Sequence, residues 1–312
     1  MTDQPAYMNS FKTGALSRAA EKARAMMAEC VLCPRECRVN RLEGQTGFCD
    51  TAVQAEVSSY QPHFGEEDPL VGEGGSGTIF FAHCNLLCRF CQNFEISHGG
   101  EGQAVTDEAL ASMMLELQQM GCHNVNFVTP SHVVPQILSA LIKAVEKGLC
   151  VPLVYNTGGY DKVETLKLLD GIVDIYMPDL KFVSPAPAAK FMNAPDYPDI
   201  VKAAIKEMHR QVGDLYMDDR GIAMRGLLVR HLVMPADLAG TREAMRFLAQ
   251  DVSTHTYVNI MGQYRPCGLA GQFDELARRP TMEEYDQARL AAGDEGITRL
   301  DRRERIRIIR WF

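Results

Sequence analysis

The sequence lacks the features that mark exported, membrane-spanning or nucleic-acid-coating proteins. Its first 30 residues contain no apolar core of signal-peptide length, and no later stretch reaches the roughly 18 apolar residues of a membrane span. Basic residues are outnumbered, with 32 Lys and Arg against 40 Asp and Glu, and a net charge of −8 does not suit a protein that neutralises phosphates. We therefore expect a soluble, cytoplasmic protein that binds neither membranes nor nucleic acid.

Low-complexity, collagen-like and coiled-coil patterns are also absent from the chain. Of its 312 residues, 46% are hydrophobic and 23% are charged, which is typical of a globular protein. This length suits either two domains or one α/β barrel that carries an extension.

Cysteine, in contrast, is abundant. In a reducing compartment, ten cysteines indicate metal binding or catalysis more than disulfides. Three of them, Cys122, Cys150 and Cys267, are isolated and typical of small buried apolar residues. The other seven form two groups: Cys30, Cys33, Cys37 and Cys49, then Cys84, Cys88 and Cys91.

From Ile79 onward, short apolar runs alternate with helical stretches. Six of these runs are predicted to be strands: GTIFFAHC, HNVNFVTP, VPLVYNTGG, VDIYMPDLKF, LLVRHLVMP and THTYVNIMGQY. Strands that alternate with helices predict a parallel sheet with right-handed crossovers. Six units indicate an α/β fold of the partial (β/α)6 TIM-like barrel type, with its chemistry at the carboxyl ends of the strands. The predicted division is a Cys-rich extension at 1–78, the barrel at 79–270 and a C-terminal extension at 271–312.

The second cysteine group has the spacing C-x3-C-x2-C and follows the first predicted barrel strand. Three thiolates on one loop can hold three irons of a [4Fe–4S] cluster and leave the fourth iron open. The alternative is a zinc site that takes a fourth ligand from elsewhere, such as His83 or His98. The position after a barrel strand, and the aromatic Phe90 before the last cysteine, favour the cluster.

The segment CNLLCRFC resembles the signature of the radical S-adenosylmethionine (SAM) superfamily. CQNFEISH, YNTGGY, DIYMPDLKF and RGLLVRHLVMP further resemble the branch described as similar to pyruvate formate-lyase activating enzyme (PflX-like proteins). The resemblance implies that SAM binds the open iron and is cleaved reductively to a 5′-deoxyadenosyl radical. It also implies flavodoxin or ferredoxin as the electron donor, and a backbone glycine of a glycyl-radical enzyme as the substrate.

The resemblance also implies which residues of this chain form the site. It implies that Cys84, Cys88 and Cys91 bind the cluster and that Phe90 packs beside the adenine. The other implied SAM contacts are Asn156, at the end of the third strand, and the pair Asp179 and Lys181. The chain departs from the pattern after its second strand, where Thr129-Pro130-Ser131-His132 replaces a Gly-Gly-Glu that receives the SAM amino group in many relatives. Which group does so here is left open.

The first cysteine group has the spacing C-x2-C-x3-C-x11-C. Four close cysteines suit either a tetrahedral zinc site or a second [4Fe–4S] cluster. The role of such a site is either structural, or electron transfer or substrate ligation by an auxiliary cluster. Further polar residues at predicted strand ends are candidates for substrate binding, and Arg230 beside His231 indicates an anionic group. The set is His132, Tyr160, Arg230, His231, Asn259, Gln263 and Tyr264.

The C-terminal stretch carries six arginines between Arg299 and Arg310 and ends in Trp311 and Phe312. It is predicted to pack on the surface, to cover the barrel mouth or to dock a partner protein. Two other functions remain open from the sequence. One is radical SAM modification of a small molecule or another peptide, and the other is a non-catalytic protein with zinc at both cysteine groups.

Overall fold

The computed structural model describes residues 4–301, in which eleven α-helices and nine β-strands are found. The elements, in chain order, are α1 (Ala6–Lys12), α2 (Ala15–Ala25), β1 (Ala55–His63), α3 (Asp68–Val71), β2 (Ser76–Phe81), α4 (Phe94–Ser97), β3 (Gln103–Val105), α5 (Asp107–Gln119), β4 (Val125–Val128), α6 (Val134–Glu146), β5 (Leu153–Thr157), α7 (Val163–Leu168), β6 (Ile175–Pro178), α8 (Pro185–Met192), α9 (Tyr197–Val212), β7 (Tyr216–Met217), β8 (Ala223–Leu232), α10 (Thr241–Phe247), β9 (Tyr257–Met261) and α11 (Met282–Asp294). Most of the Arg-rich stretch, from Arg302 to Phe312, lies outside the described residues.

Six parallel strands form the centre of the sheet, in the order β2, β4, β5, β6, β8 and β9. The antiparallel strands β1 and β3 extend the sheet beyond β2, and β7 pairs with β8. Within residues 4–301, no ladder joins β9 to β2, so the sheet is open there. This arrangement confirms the α/β class and is consistent with a partial barrel.

The central strands form because their apolar runs are buried on both faces. All five residues of β5 and all four residues of β6 are buried. Helix α6 contributes nine buried residues, and α5 and α2 pack against it. Strands covered on both faces need continuous apolar runs, and those runs are what the sequence shows.

The sequence predicts one helix over residues 13–29 and another over about 186–211, and the structure differs in both regions. The first helix is observed as α2 alone, and the separate α1 before it was not predicted; Gly14 between them has a φ of +71°. The helix predicted over 186–211 breaks after α8 at Asn193, whose φ is +49°. Strands β3 and β7 and helix α11 were not predicted. The domain boundaries at 78 and 270 stay a prediction.

No helix within residues 4–301 combines the length and the apolar character needed to cross a membrane.

Candidate active site

The loop from Cys84 to Cys91, called the cluster loop below, lies at the carboxyl end of β2. His83, just before the loop, and Leu87, within it, have φ values of +67° and +53°. These left-handed residues turn the chain, so that all three cysteines stand on one short loop. Cys88 is buried, whereas Cys84 and Cys91 are half-buried.

Polar hydrogens point at the sulfur atoms of the cluster loop. The Leu86 N–H donates to Cys84 Sγ at 3.3 Å, and the Ser97 hydroxyl donates to Cys91 Sγ at 3.2 Å. Such bonds favour thiolates, but burial outweighs them and raises the pKa of the Cys84 and Cys88 thiols. A metal that binds such sulfurs displaces their protons outright.

The donor set fits a cluster better than a single ion. In the described part of the chain, no three thiol, imidazole or carboxylate side chains are grouped so as to hold one metal ion. A [4Fe–4S] cluster binds one thiolate at each ligated iron, so its ligands surround it. The histidines considered as zinc ligands have other partners: His83 Nε2 lies 3.3 Å from Glu56 Oε2, and His98 Nδ1 lies 2.9 Å from Ser97 Oγ.

A buried polar group lies beside the cluster loop. Asp179 Oδ2 accepts from Lys181 Nζ at 2.6 Å, and Asp179 Oδ1 accepts from Arg230 Nε at 2.7 Å. Arg230 Nη2 also donates to Asn156 Oδ1 at 2.7 Å. Although burial opposes it, the charges of Arg230 and Lys181 hold the pKa of Asp179 below its ordinary value. Three of the predicted SAM-contacting residues therefore meet, with Arg230 as the fourth member.

Strand register brings this polar group together from distant parts of the sequence. Asp179, directly after β6, forms a parallel bridge with Arg230 of β8, and Arg230 is in register with Asn259 of β9. The polar group approaches the cluster loop at Gly158. A Cβ added there would lie 2.8 Å from Leu86, which belongs to the cluster loop, and 3.7 Å from Lys181, which belongs to the polar group. The carboxyl edge of the sheet therefore combines three thiols with a charged layer.

His231 does not join Arg230. Its Nδ1 lies 2.8 Å from the Leu180 carbonyl oxygen and its Nε2 lies 3.0 Å from Thr241 Oγ1. Neighbouring residues of a strand point to opposite faces of a sheet, so the two side chains diverge. The anionic subsite expected from their adjacency is therefore not formed by the pair.

Glu67 is a site residue that the sequence reasoning missed. Its Oε1 accepts from Asn259 Nδ2 at 2.8 Å, and its buried Oε2 has no hydrogen-bond partner among the described residues. Burial raises the pKa of Glu67 to about 7, although the positive charge of Arg230 acts to lower it. The signal in the sequence is the pair of acidic residues in HFGEEDP, just before the first barrel strand.

Phe90 is buried in an aromatic cluster. Its ring packs edge-to-face on Phe182 at 5.7 Å between centroids and contacts Tyr264 at 6.3 Å. Ser131, considered for the SAM amino group, lies with its hydroxyl 3.0 Å from Thr157 Oγ1. Thr157 in turn donates to the buried Asp161, so Ser131 belongs to an internal network.

The four cysteines of the first group, called the N-terminal cysteine group below, line one cavity together with His132 and other residues. Cys30, Cys33 and Cys49 are buried, and Cys37 is half-buried. Burial raises the pKa of Cys33 to about 12. The structure thus brings together four residues that span 20 positions of the sequence.

Two comparisons identify what the chain resembles. Residues 78–226, which include the cluster loop, Asn156, Asp179 and Lys181, match the family model described as the radical SAM superfamily. An uncharacterized protein of Methanocaldococcus jannaschii is 32% identical over 284 residues, which cover 89% of this chain and 78% of that protein. The similarity to this relative extends well beyond the segment that matches the family model.

Proposed function

Because this chain belongs to the radical SAM superfamily, we propose that it cleaves SAM reductively at a [4Fe–4S] cluster held by Cys84, Cys88 and Cys91. The observation that carries this proposal is the cluster loop, which lies beside a buried charged layer at the carboxyl edge of six parallel strands. When bound, the cluster supplies the electron that breaks a carbon–sulfur bond of SAM, and the resulting 5′-deoxyadenosyl radical removes hydrogen from a substrate.

The polar layer supplies the groups that would hold SAM. Both carboxylate oxygens of Asp179 are engaged, one by Lys181 and one by Arg230, so Asp179 fixes two cations in place. Lys181 retains further N–H donors for the SAM carboxylate. Because Arg230 donates to Oδ1 of Asn156, the amide NH2 is what Asn156 retains for a ligand. Phe90 would limit the adenine side of the site.

The finer proposal is that the substrate is a backbone glycine of a partner glycyl-radical enzyme. Flavodoxin or ferredoxin would donate the electron, in the cytoplasm, where such reductants are found. This proposal is supported by the segments that resemble the pyruvate formate-lyase activating branch. The description of the M. jannaschii relative names no activity.

Anaerobic SAM cleavage tests the proposed function. The reconstituted protein is mixed with SAM and dithionite, and 5′-deoxyadenosine is measured by chromatography. We expect product from the wild type and none from Cys88→Ser, whereas Cys150→Ser, which replaces an exposed and isolated cysteine, should match the wild type. A colourless protein that holds only zinc and yields no 5′-deoxyadenosine would refute the proposal.

The substrate is tested separately. A candidate glycyl-radical enzyme is added to the reduced protein and SAM, and the sample is frozen for electron paramagnetic resonance. A glycyl-radical doublet that requires the active protein supports the finer proposal. Production of 5′-deoxyadenosine without this doublet would favour a small molecule or another peptide as the substrate.

A further inference from the structure

The N-terminal cysteine group lies in a segment that has little other support. Between α2 and β1, over residues 26–54, the only regular element described is one 3-10 turn, Arg41–Glu43. Structureless segments of this length are uncommon inside compact domains unless they serve a function. The hydrophobic cluster here is small, with three buried members, Met27, Cys30 and Leu32. Something other than apolar packing must hold the segment.

The backbone around these cysteines makes close contacts with their side chains and contains residues with positive φ. The Phe48 N–H donates to Cys37 Sγ at 3.2 Å. Gly47 is required beside it, because a Cβ there would lie 2.6 Å from the Cβ of Cys37. Glu36 and Arg38, on either side of Cys37, have φ values of +40° and +55°. Backbone strain of this kind persists where surrounding structure imposes it, typically at functional sites.

The cavity lined by the N-terminal cysteine group also contains two cations that lack an anion. Arg41 is fully buried, and its guanidinium donates only to the carbonyl oxygens of Ala52 and His132. Arg35 donates only to backbone carbonyls and lies over the Phe48 ring at 3.8 Å. Among the described residues, neither arginine has a carboxylate within ion-pair distance.

A buried charge without a counter-charge is costly, so this cavity favours an anionic occupant. Four thiolates around a [4Fe–4S] core of formal charge +2 carry two negative charges in excess and would balance both arginines. The cavity contains one more polar atom without a partner, a ring nitrogen of His132. His132 is buried with its Nε2 2.9 Å from the Ala82 carbonyl oxygen, and its Nδ1 has no partner among the described residues.

The same segment contacts the cluster loop at Asn85, the residue after Cys84. Arg35 Nε donates to the Asn85 carbonyl oxygen at 2.9 Å, and the Asn85 side chain lies near the Cys33 thiol, where it partly offsets the rise in the pKa of Cys33. Asn85 Nδ2 also donates to the Tyr160 carbonyl oxygen at 2.8 Å. Asn85 is buried, so these bonds are shielded from water. The segment that carries one cysteine group is therefore hydrogen-bonded directly to the loop that carries the other.

We propose that the N-terminal cysteine group binds a second, thiolate-ligated metal centre, and that this centre holds the cluster loop in position through Arg35 and Asn85. The part that concerns the cluster loop rests on the function proposed above. The proposed centre is an iron–sulfur cluster, because no three donor side chains of the described residues are grouped so as to hold a single ion such as Zn²⁺. No step of SAM cleavage is assigned to the second centre.

The first experiment asks whether the second centre exists. The triple variant Cys84→Ser, Cys88→Ser and Cys91→Ser is purified anaerobically, and iron, acid-labile sulfide and zinc are measured per chain. We expect about four irons with sulfide, whereas about one zinc without iron would overturn the assignment of a cluster. A folded triple variant without metal would overturn the proposal. This result does not depend on SAM cleavage, so failure of the proposed function would be seen separately.

The second experiment tests the coupling with two variants in which the cluster loop keeps its cysteines. Cys37→Ser combined with Cys49→Ser should lose the second metal and load less iron at the cluster loop. Asn85→Ala should keep the second metal but bind the cluster about 10–100-fold more weakly, as is typical when a residue that orients a ligand is lost.

The control for both variants is Cys150→Ser, which should retain both centres, and circular dichroism checks that each protein is folded. Iron content and the resonance spectrum of the reduced cluster give the readout without any activity measurement. Wild-type cluster loading in both Cys37→Ser/Cys49→Ser and Asn85→Ala would overturn the coupling, even if the second metal is present.

Discussion

At the residue scale, Asp179 is the carboxylate that neutralises two cations of the candidate site. It is buried and binds two cations, Lys181 and Arg230, through its two oxygens. A buried carboxylate keeps its charge only when its partners compensate for lost water. Here they do, since the pKa of Asp179 is lowered in spite of burial. Replacing one member therefore leaves the others with uncompensated charge.

Asp179→Asn should destabilise the protein strongly. Two buried cations would lose their anion, and breaking a buried pair typically costs about 3–5 kcal/mol. Urea unfolding of the variant and the wild type measures the loss. The matched control is Asp251→Asn, whose partner Lys206 and whose own carboxylate are both about half exposed, and it should cost much less. Equal losses would contradict this account of the polar layer.

Glu67 should make stability depend on pH between about pH 4.5 and 7. Burial raises its folded-state pKa from 4.5 to about 7, so the folded protein holds this proton more tightly than the unfolded chain does. The stability that Glu67 contributes is complete below its unfolded pKa and is lost as pH rises through the folded pKa. Relative to the wild type, Glu67→Gln should therefore gain stability between pH 5 and pH 8.

Urea unfolding at the two pH values measures the difference. Glu284→Gln is the control, because hydrogen bonding from Arg278 lowers the pKa of Glu284 to about 2, and a lowered pKa affects stability only as pH falls through the acidic range. Its difference from the wild type should stay flat between pH 5 and pH 8. A flat difference for Glu67→Gln as well would mean that Glu67 ionises normally in the folded protein.

At the element scale, the close approach of β8 to the preceding segment depends on one glycine. Gly226 has a φ of +126°, and a Cβ there would lie 2.4 Å from the Asp214 carbonyl oxygen and 2.5 Å from Leu215 Cα. Backbone atoms cannot move aside as a flexible side chain can. Strand β8 also carries Arg230, so its position matters for the site.

Gly226→Ala should displace β8 and destabilise the protein by about 1–3 kcal/mol or more, because of overpacking at a left-handed residue. The matched control is Gly293→Ala in α11, where an added Cβ meets nothing within 4 Å. That change should stabilise the protein by about 0.5–1 kcal/mol, since alanine favours helix. Thermal unfolding measures both, and effects of the same sign would be inconsistent with the packing described.

At the scale of the whole molecule, the sheet has an open seam between β9 and β2. The hydrogen bond from Asn259 to Glu67 crosses from β9 to the segment before β2. Leu300 forms a bridge with Val258 of the same strand. A seam held by few bonds opens at a lower free-energy cost than the core of the sheet.

Asn259→Ala should loosen this seam without unfolding the barrel. The bond to Glu67 is lost, so amide hydrogen exchange should accelerate in residues 66–72 and in β9, whereas β4 and β5 should be unchanged. Gln263 lies just after β9 and its side chain is exposed. Gln263→Ala is therefore the control and should leave exchange unaffected. Acceleration spread evenly over all strands would mean global destabilisation instead.

The sequence by itself determined the six parallel strands and the grouping of three cysteines on one loop, because both depend on local pattern. Burial on both faces requires the continuous apolar runs that predicted six parallel strands, and the spacing of Cys84, Cys88 and Cys91 places them on one loop whatever surrounds it. The short strands β3 and β7 were missed, since elements of two or three residues carry too little periodic signal.

Only the tertiary structure decided which side chains meet. Arg230 reaches Asp179 and Asn156 because strand register sets neighbours across the sheet, and register is not visible within one strand. The same holds for Glu67 with Asn259, which are 192 residues apart. The hydrogen bond from Arg35 to the Asn85 carbonyl oxygen arises from the docking of an irregular segment, whose sequence has no periodic pattern from which the contact could be predicted.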